Sequence, residues 1–477
     1  MPDSTFTDAL RKTYAELDQL QFVDALWARD VQVWTGDEAT HRKIAGRLGW
    51  LGALDVVEPQ LPRLKAFADS LRGDGLTDVV LLGMGGSSLA PEVLRQVLGR
   101  AGQVPRFRML DSVDPDAVRA ACAAPATTLF VLASKSGGTI EPNAMAAEAV
   151  RALQAAGITD WARRVVAITD EGTALHRRAQ ESGFREIFVN PSDIGGRYSA
   201  LSLFGLVPAA LMGIDLDGLM AEARAMEQAC RVSVGARNPG VVLGAFAAAG
   251  ARVGRDKLTL LLPERLASFG LWVEQLVAES TGKQGRGVVP ITGEAGPIVW
   301  GADRLCVAVT MGAEAPASPL LDSARAAGVP LLDLAMPGPL ALGAEFLRWE
   351  LATAVMGRLL EVNPFDEPNV QQAKDATGIL LAEYERTGVL PEPSSSALTA
   401  DATVSVTSAA AGQGAVPTLT ALREAGDYLS IMAYLPPELA VAGTRLLVEY
   451  FGEHYPVTVA AAGATPLFDP GNARLRG

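Results

Sequence analysis

Apolar and polar positions keep two rhythms along this chain. The first sixty or so residues read as helical and irregular. Within them, LWARDVQVWTGD (Leu26 to Asp37) and LGWLG (Leu48 to Gly52) are rich in Trp and are expected to pack as an arm against the body. A regular pattern then begins. TDVVLLGMGG, from Thr77, is an apolar run that ends in glycines, the mark of a buried strand, and SSLAPEVLRQVLG follows as a helix. FRMLDS (Phe107) and TTLFVLASKSGG (Thr127) read as the next strands. TIEPNAMAAEAVRALQAAG follows as a helix, and RRVVAITD (Arg163) and EIFVN (Glu186) as two more strands. Strands alternating with helices of about 10–15 residues imply a parallel sheet covered on both faces.

After a helical stretch from about Leu201 to Gly254 the alternation resumes. KLTLLLP, RLCVAVT and VPLLDLA are expected strands. LASFGLWVEQLVAEST and LGAEFLRWELATAVMGRLLEV are expected helices. This gives two α/β layers in tandem, with no exact sequence repeat. The stretch from about Pro391 to Val416 is small, polar and nearly uncharged, and reads as a loop or linker. DYLSIMAYLPP, ELAVAGTRLLVEYFGEHY and PVTVAAAG then read as strand, helix and strand. The pattern therefore predicts an N-terminal helical arm over 1–60, α/β domains over 61–230 and 231–395, and a linker with a C-terminal module over 396–477.

Composition narrows the classes. The 477 residues favour two or three domains, and 49 % hydrophobic content is ample for large cores. Charged residues make up 20 %, which argues against extended disorder. A net charge of −13 with no Lys/Arg run gives no basic face for nucleic acid. Cys122, Cys230 and Cys306 are far apart, so neither a disulfide framework nor a zinc site is indicated, and three buried thiols in a reducing compartment are expected. No apolar signal core or membrane-spanning run is read, so a cytoplasmic protein is expected.

Chemistry concentrates in five places. Gly83-Met84-Gly85-Gly86-Ser87-Ser88 lies between a strand end and a helix start, where glycines let backbone approach an anion. The dinucleotide fingerprint would need a third Gly where Ser88 stands. Ser134-Lys135-Ser136-Gly137-Gly138-Thr139 repeats the arrangement with three hydroxyls, and Lys135 either adds charge or points outward. Gly195-Gly196-Arg197-Tyr198-Ser199 offers a permanent cation, able to stabilise an enediolate or to serve in a surface ion pair. Gln275 and Glu279 are four apart, on one helix face that ends at Gly282, and one carboxylate can take a proton from a carbon and return it to its neighbour. Thr281-Gly282-Lys283-Gln284 lacks both the first Gly and the final Ser/Thr of a P-loop. Finally, Asn363-Pro364-Phe365-Asp366-Glu367-Pro368 marks a loop before a helix carrying Lys374.

The motifs GMGGSSL, SKSGGT, GGRYS, EQLVAESTGK and NPFDEPNVQQAK occur in this order, and the chain resembles the phosphoglucose isomerases from about Leu26 to Lys374 and beyond. It is most similar to the isomerase half of the bacterial fused transaldolase–phosphoglucose isomerases. The resemblance implies two tandem sugar-isomerase (SIS) domains of three-layer α/β/α type with parallel sheets, a homodimer, no metal and no nucleotide cofactor. It implies that Gly86 and Ser87 hold the sugar end, and that Ser134, Ser136 and Thr139, with Lys135 nearby, hold the phosphate. It further implies that Arg197 stabilises the enediolate, Glu279 is the base, Gln275 orients the ligand and Lys374 assists ring opening. The implied substrates are glucose 6-phosphate and fructose 6-phosphate.

Three departures accompany it. No His lies between Glu279 and Lys374, where family members with a ring-opening His carry it; His41, His176 and His454 lie elsewhere. Glu367 stands where the family has Gln. At about 4 Å and an effective dielectric near 20, a carboxylate there costs on the order of 4 kcal/mol per unit charge of phosphate, unless Lys374 pairs with it. The last segment, GATPLFDPGNARLRG, has no His. The alternatives are a non-catalytic sugar-phosphate-binding SIS protein and an isomerase of a different sugar phosphate.

Overall fold

A computed structural model describes residues 4–34, 37–99, 101–102, 104–294, 298, 300–390, 395–399 and 402–405. These divide into two units, one up to Asp366 and one from Glu367 onward.

The first unit holds two parallel sheets. The first sheet contains β1 (Asp78–Leu82), β2 (Arg106–Leu110), β3 (Thr128–Ala133), β4 (Val165–Asp170) and β5 (Glu186–Asn190), in the order β2-β1-β3-β4-β5. Every residue of β1, β3 and β4 is buried. Their side chains alternate between two cores, as a pleated strand requires. Val79, Leu81, Leu129, Val131, Val166 and Ile168 face one core; Val80, Leu82, Phe130, Leu132, Val165 and Ala167 face the other. Helix Leu89–Leu98 packs into the first core and helix Ile140–Ala155 into the second, so both faces are covered.

The second sheet contains β6 (Lys257–Leu261), β7 (Val289–Thr292), β8 (Arg304–Met311) and β9 (Leu331–Met336), in the order β7-β6-β8-β9. This repeats the β2-β1-β3-β4 order of the first sheet. Leu258, Leu260, Leu305, Val307 and Val309 join the same core as the first sheet's Val79 and Leu81, so one hydrophobic centre serves both sheets. Helices Leu203–Leu211, Leu216–Cys230, Pro239–Arg252, Ala267–Thr281 and Leu342–Leu360 contribute to it.

The expected strands and helices of this unit are all present. One strand escapes the sequence reading: β7 has four residues and contains Pro290, which weakens the apolar signal. Proline cannot donate to a ladder and belongs on an edge, and β7 is an edge strand.

The Trp-rich N-terminal segment packs as expected. Trp27 Nε1 donates to the Cys230 carbonyl at 3.0 Å and Trp34 Nε1 to the Ala354 carbonyl at 3.2 Å. The three cysteines are free and buried, and burial pushes the Cys230 thiol up to about 11 and Cys306 up to about 12. Among the described residues, no helix is long and apolar enough to cross a membrane.

In the second unit, helix Pro368–Thr387 ends at Gly388 in the left-handed region. Strands Ser395–Thr399 and Ala402–Ser405 pair antiparallel, with Ser396 opposite Val404. Those parts of the expected linker are therefore paired strands. Thr399, Thr403 and Val404 are β-branched and suit extended backbone despite the loop-like composition. The expected C-terminal strand–helix–strand module and His454 lie outside the described residues.

Candidate active site

A parallel sheet binds ligands beyond the carboxyl ends of its strands, where the strand order reverses. In the first sheet that point lies between β1 and β3, and the two glycine- and hydroxyl-rich loops follow these two strands. After β1, Gly85–Ser87 forms a single 3-10 turn, with Gly85 in the left-handed region at φ 54°. After β3, Gly137 is also left-handed at φ 66°, and Asn143 Nδ2 ties the loop by donating to the Gly137 and Thr139 carbonyls at 3.1 and 2.8 Å.

The hydroxyls of the second loop are not consumed in capping. Thr139 occupies the cap position of helix Ile140–Ala155, yet its side chain makes no capping bond. Its hydroxyl lies 3.4 Å from that of Ser134, which donates to it. Ser134 is buried, Thr139 half-buried and Ser136 exposed. Neutral hydroxyls and the amide groups of a helix start are suited to an anion.

Lys135, expected near the phosphate, is engaged within the protein. Its ammonium is engaged by Asp170, at the end of β4, and it donates to the Ser192 carbonyl at 2.8 Å. Burial pushes the Asp170 carboxyl up, and the bonded Lys135 pulls it back. Lys135 thus ties the loops after β3, β4 and β5 together, and its charge is already paired.

The first, third and fourth motifs converge. A side chain on Gly86 would collide with the Gly196 carbonyl, and one on Gly85 would come within 2.7 Å of Gln275 Nε2. Gly195 and Gly196 both avoid the left-handed region, and the close approach of the two loops requires the missing side chain at Gly86. Ser199 Oγ bonds the Gly196 and Gly86 carbonyls at 2.7 and 3.3 Å, stitching the two loops. Tyr198 packs on Trp50 and Phe365, with ring centroids 5.2 and 5.3 Å away, and Phe365 meets Trp34 at 5.1 Å. The aromatic arm therefore buttresses the Arg197 turn.

Arg197 is 6 % exposed and does not project freely. Its Nη1 donates to Glu279 Oε1 at 2.8 Å and its Nε to Ser280 Oγ at 3.0 Å. Its Nη2 donates to the Pro364 and Asp366 carbonyls at 3.2 and 3.0 Å. The Glu279 side chain remains 24 % exposed, so the carboxylate is both held and reachable. Gln275 is half-buried one turn earlier on the same face.

Sequence reasoning missed Ser280, Lys283 and the carbonyls of the 363–366 loop. Lys283 Nζ donates to the Asn363 carbonyl at 2.5 Å, the Asp366 carbonyl at 2.7 Å and Asp366 Oδ1 at 2.6 Å. The available signal was a Lys directly after the glycine that stops the helix. Glu367 and Lys374 belong to the second unit, on and beside helix Pro368–Thr387. His176 Nδ1 accepts from the Gly172 amide at 2.9 Å, a local helix-start contact. Among the described residues, no group of three His, Cys, Asp or Glu side chains could hold a metal.

Comparison with known proteins agrees with this arrangement. The phosphoglucose isomerase family model matches residues 62–305. The glucose-6-phosphate isomerase of Citrifermentans bemidjiense is 36 % identical over 243 residues, covering 48 % of this chain and 46 % of that protein. The chain thus spans about half the length of the first curated relatives it matches. A longer alignment, to the glucose-6-phosphate isomerase of Prochlorococcus marinus, is 32 % identical over 417 residues and covers 77 % of this chain and 73 % of that one. The solved structure of a glucose-6-phosphate isomerase from Chlamydia trachomatis shares the fold, with a TM-score of 0.60 at 19 % identity, over 79 % of this chain and 86 % of that one. Matched over these lengths, with the loops and the Glu279 helix brought together, the chain belongs to the phosphoglucose isomerase family.

Proposed function

We propose that this chain interconverts glucose 6-phosphate and fructose 6-phosphate through an enediol(ate), with Glu279 as the base. The observation that carries the reading is the 2.8 Å contact between Arg197 and Glu279, beside the loop after β1 that closes the switch point. A carboxylate there takes the proton from carbon 2 of the aldose, and the electron pair forms the double bond of the enediol(ate). Returning the proton to carbon 1 gives the ketose, while the hydroxyl proton on oxygen 2 leaves and oxygen 1 gains one. One base serves both carbons because they are adjacent.

Arg197 supports this by holding Glu279 and by placing fixed positive charge where negative charge develops. Ser134, Ser136 and Thr139 take the phosphate as hydroxyl donors, with Gly86 and Ser87 along the sugar and Gln275 orienting it. The resemblance further assigns ring opening to Lys374 and a substrate contact to Glu367. A homodimer in the cytoplasm belongs to the same reading, and sedimentation of the pure chain checks the dimer.

The test is direct. Fructose 6-phosphate incubated with the pure protein in deuterated water gives glucose 6-phosphate carrying deuterium at carbon 2. Product formation without exchange would point to hydride transfer, and no product would overturn the assignment.

A further inference from the structure

The base helix is held at its end by a second buried cation. Lys283 follows Gly282, the residue that stops helix Ala267–Thr281, and is 9 % exposed. Burial pulls its ammonium below the usual lysine range, and Asp366 pulls it back up. An ammonium has three N–H groups. All three are accounted for by one short loop, on the Asn363 carbonyl, the Asp366 carbonyl and Asp366 Oδ1.

That loop also binds Arg197. The Asp366 carbonyl accepts from Lys283 at 2.7 Å and from Arg197 Nη2 at 3.0 Å, so one oxygen lies between the two cations. Pro364 gives its own carbonyl to Arg197 at 3.2 Å. The loop has further restraints: the Phe365 amide donates to Asn363 Oδ1 at 3.0 Å, and Pro364 packs against Gly357, where a side chain would not fit. Two cations aimed at one row of carbonyls repel each other, and the carbonyl dipoles offset that repulsion only while they stay in register. The loop therefore sets where the guanidinium lies, and the guanidinium sets where Glu279 lies.

We propose that Lys283 is a positioning residue of the isomerisation. It fixes the 363–366 loop, so that the Pro364 and Asp366 carbonyls orient Arg197 and, through it, the carboxylate of Glu279. The proposal rests on Glu279 being the base. A residue acting only on stability would lower the melting temperature and leave turnover of the folded enzyme intact. A positioning residue changes kcat, because a misplacement of about 1 Å can cost on the order of a hundredfold in rate.

Lys283→Met is expected to lower kcat about ten- to a hundredfold while KM stays within about threefold. In a Glu279→Gln background the same substitution is expected to leave the residual rate unchanged, because residues that act as a unit are not additive. Asp366→Asn keeps the oxygen acceptor and is expected to retain kcat within about threefold. Asp366→Ala removes that acceptor and is expected to lose more, without a matching change in KM. This pair decides the matter if Lys283→Met does not fold. A folded Lys283→Met enzyme with wild-type kcat, an equal loss in both backgrounds, or equal behaviour of the two Asp366 variants would overturn the proposal. Each of these results is obtained beside an active wild type; a wild type without carbon-2 exchange would instead remove the base assignment itself.

Discussion

The two sheets share a strand order but not a chemistry. At the switch point of the first sheet, the loops after β1 and β3 carry Gly85, Gly86, Ser87, Ser134, Ser136 and Thr139. At the matching point of the second sheet, the loops after β6 and β8 carry Glu264, Arg265 and Glu314. There Arg265 and Glu314 form an ion pair at 3.5 Å, each side chain 44 % exposed. Two carboxylates at that point would repel a phosphate, and the exposed pair contributes little to stability. Topology supplies the crevice, and residue type decides whether it can bind an anion. The second half contributes differently: the helix that follows β6 carries Glu279 in its last turn, and Glu279 reaches Arg197 from the first half.

The largest break in this comparison is chemical. Glu279→Gln removes the proposed base while keeping size and hydrogen bonding, and kcat is expected to fall about a thousandfold in a steady-state assay, within the range for losing a general base. Exchange at carbon 2 is expected to fall with it.

The next tests the helical layer between the sheets. Burial pushes the carboxyl of Glu345, on helix Leu342–Leu360, up to about 7, against the pull of Arg348. A raised folded pKa gives stability that is present below the unfolded value and is lost as pH rises toward the folded one. The window runs from about pH 4.5 to 7. Glu345→Gln lacks this dependence, so its stability relative to wild type is expected to improve by up to about 3 kcal/mol between pH 4.5 and 8. Denaturant titration at the two pH values measures it; a constant difference would contradict the burial account.

Gly86→Ala places a Cβ against the Gly196 carbonyl, where backbone meets backbone. A loss of about 1–3 kcal/mol is expected, read by thermal melting, with activity falling alongside. Ser134→Ala is expected to raise KM about tenfold with kcat nearly constant, as removal of a hydrogen bond to a charged ligand should. The smallest effect sharpens the contrast: Glu314→Ala, at the second switch point, is expected to leave both KM and kcat within about twofold, since surface changes away from a site are mostly small.

Local signals made much of this legible. Buried strands such as Val79–Leu82 stand out as apolar runs, and glycines and serines directly after them mark the proposed anion loops. What stayed hidden depends on partners distant in sequence. Arg197 and Glu279 are 82 positions apart, and Lys283 and Asp366 are 83 apart, so neither clamp has a local pattern. Lys135 shows the same limit, because its partner Asp170, at the end of β4, lies 35 positions away in sequence. β7 was lost to its proline, and the paired strands Ser395–Thr399 and Ala402–Ser405 to a composition that loops share.

The central claim is that the first half binds the phosphate while the second half delivers the base. A crystal structure with bound fructose 6-phosphate tests it most directly. The account predicts the phosphate within hydrogen-bonding distance of Ser134, Ser136 and Thr139, with carbons 1 and 2 about 3–3.5 Å from the Glu279 carboxylate. A phosphate seated instead beyond β6 and β8, or a sugar whose first two carbons lie out of reach of Glu279, would contradict it.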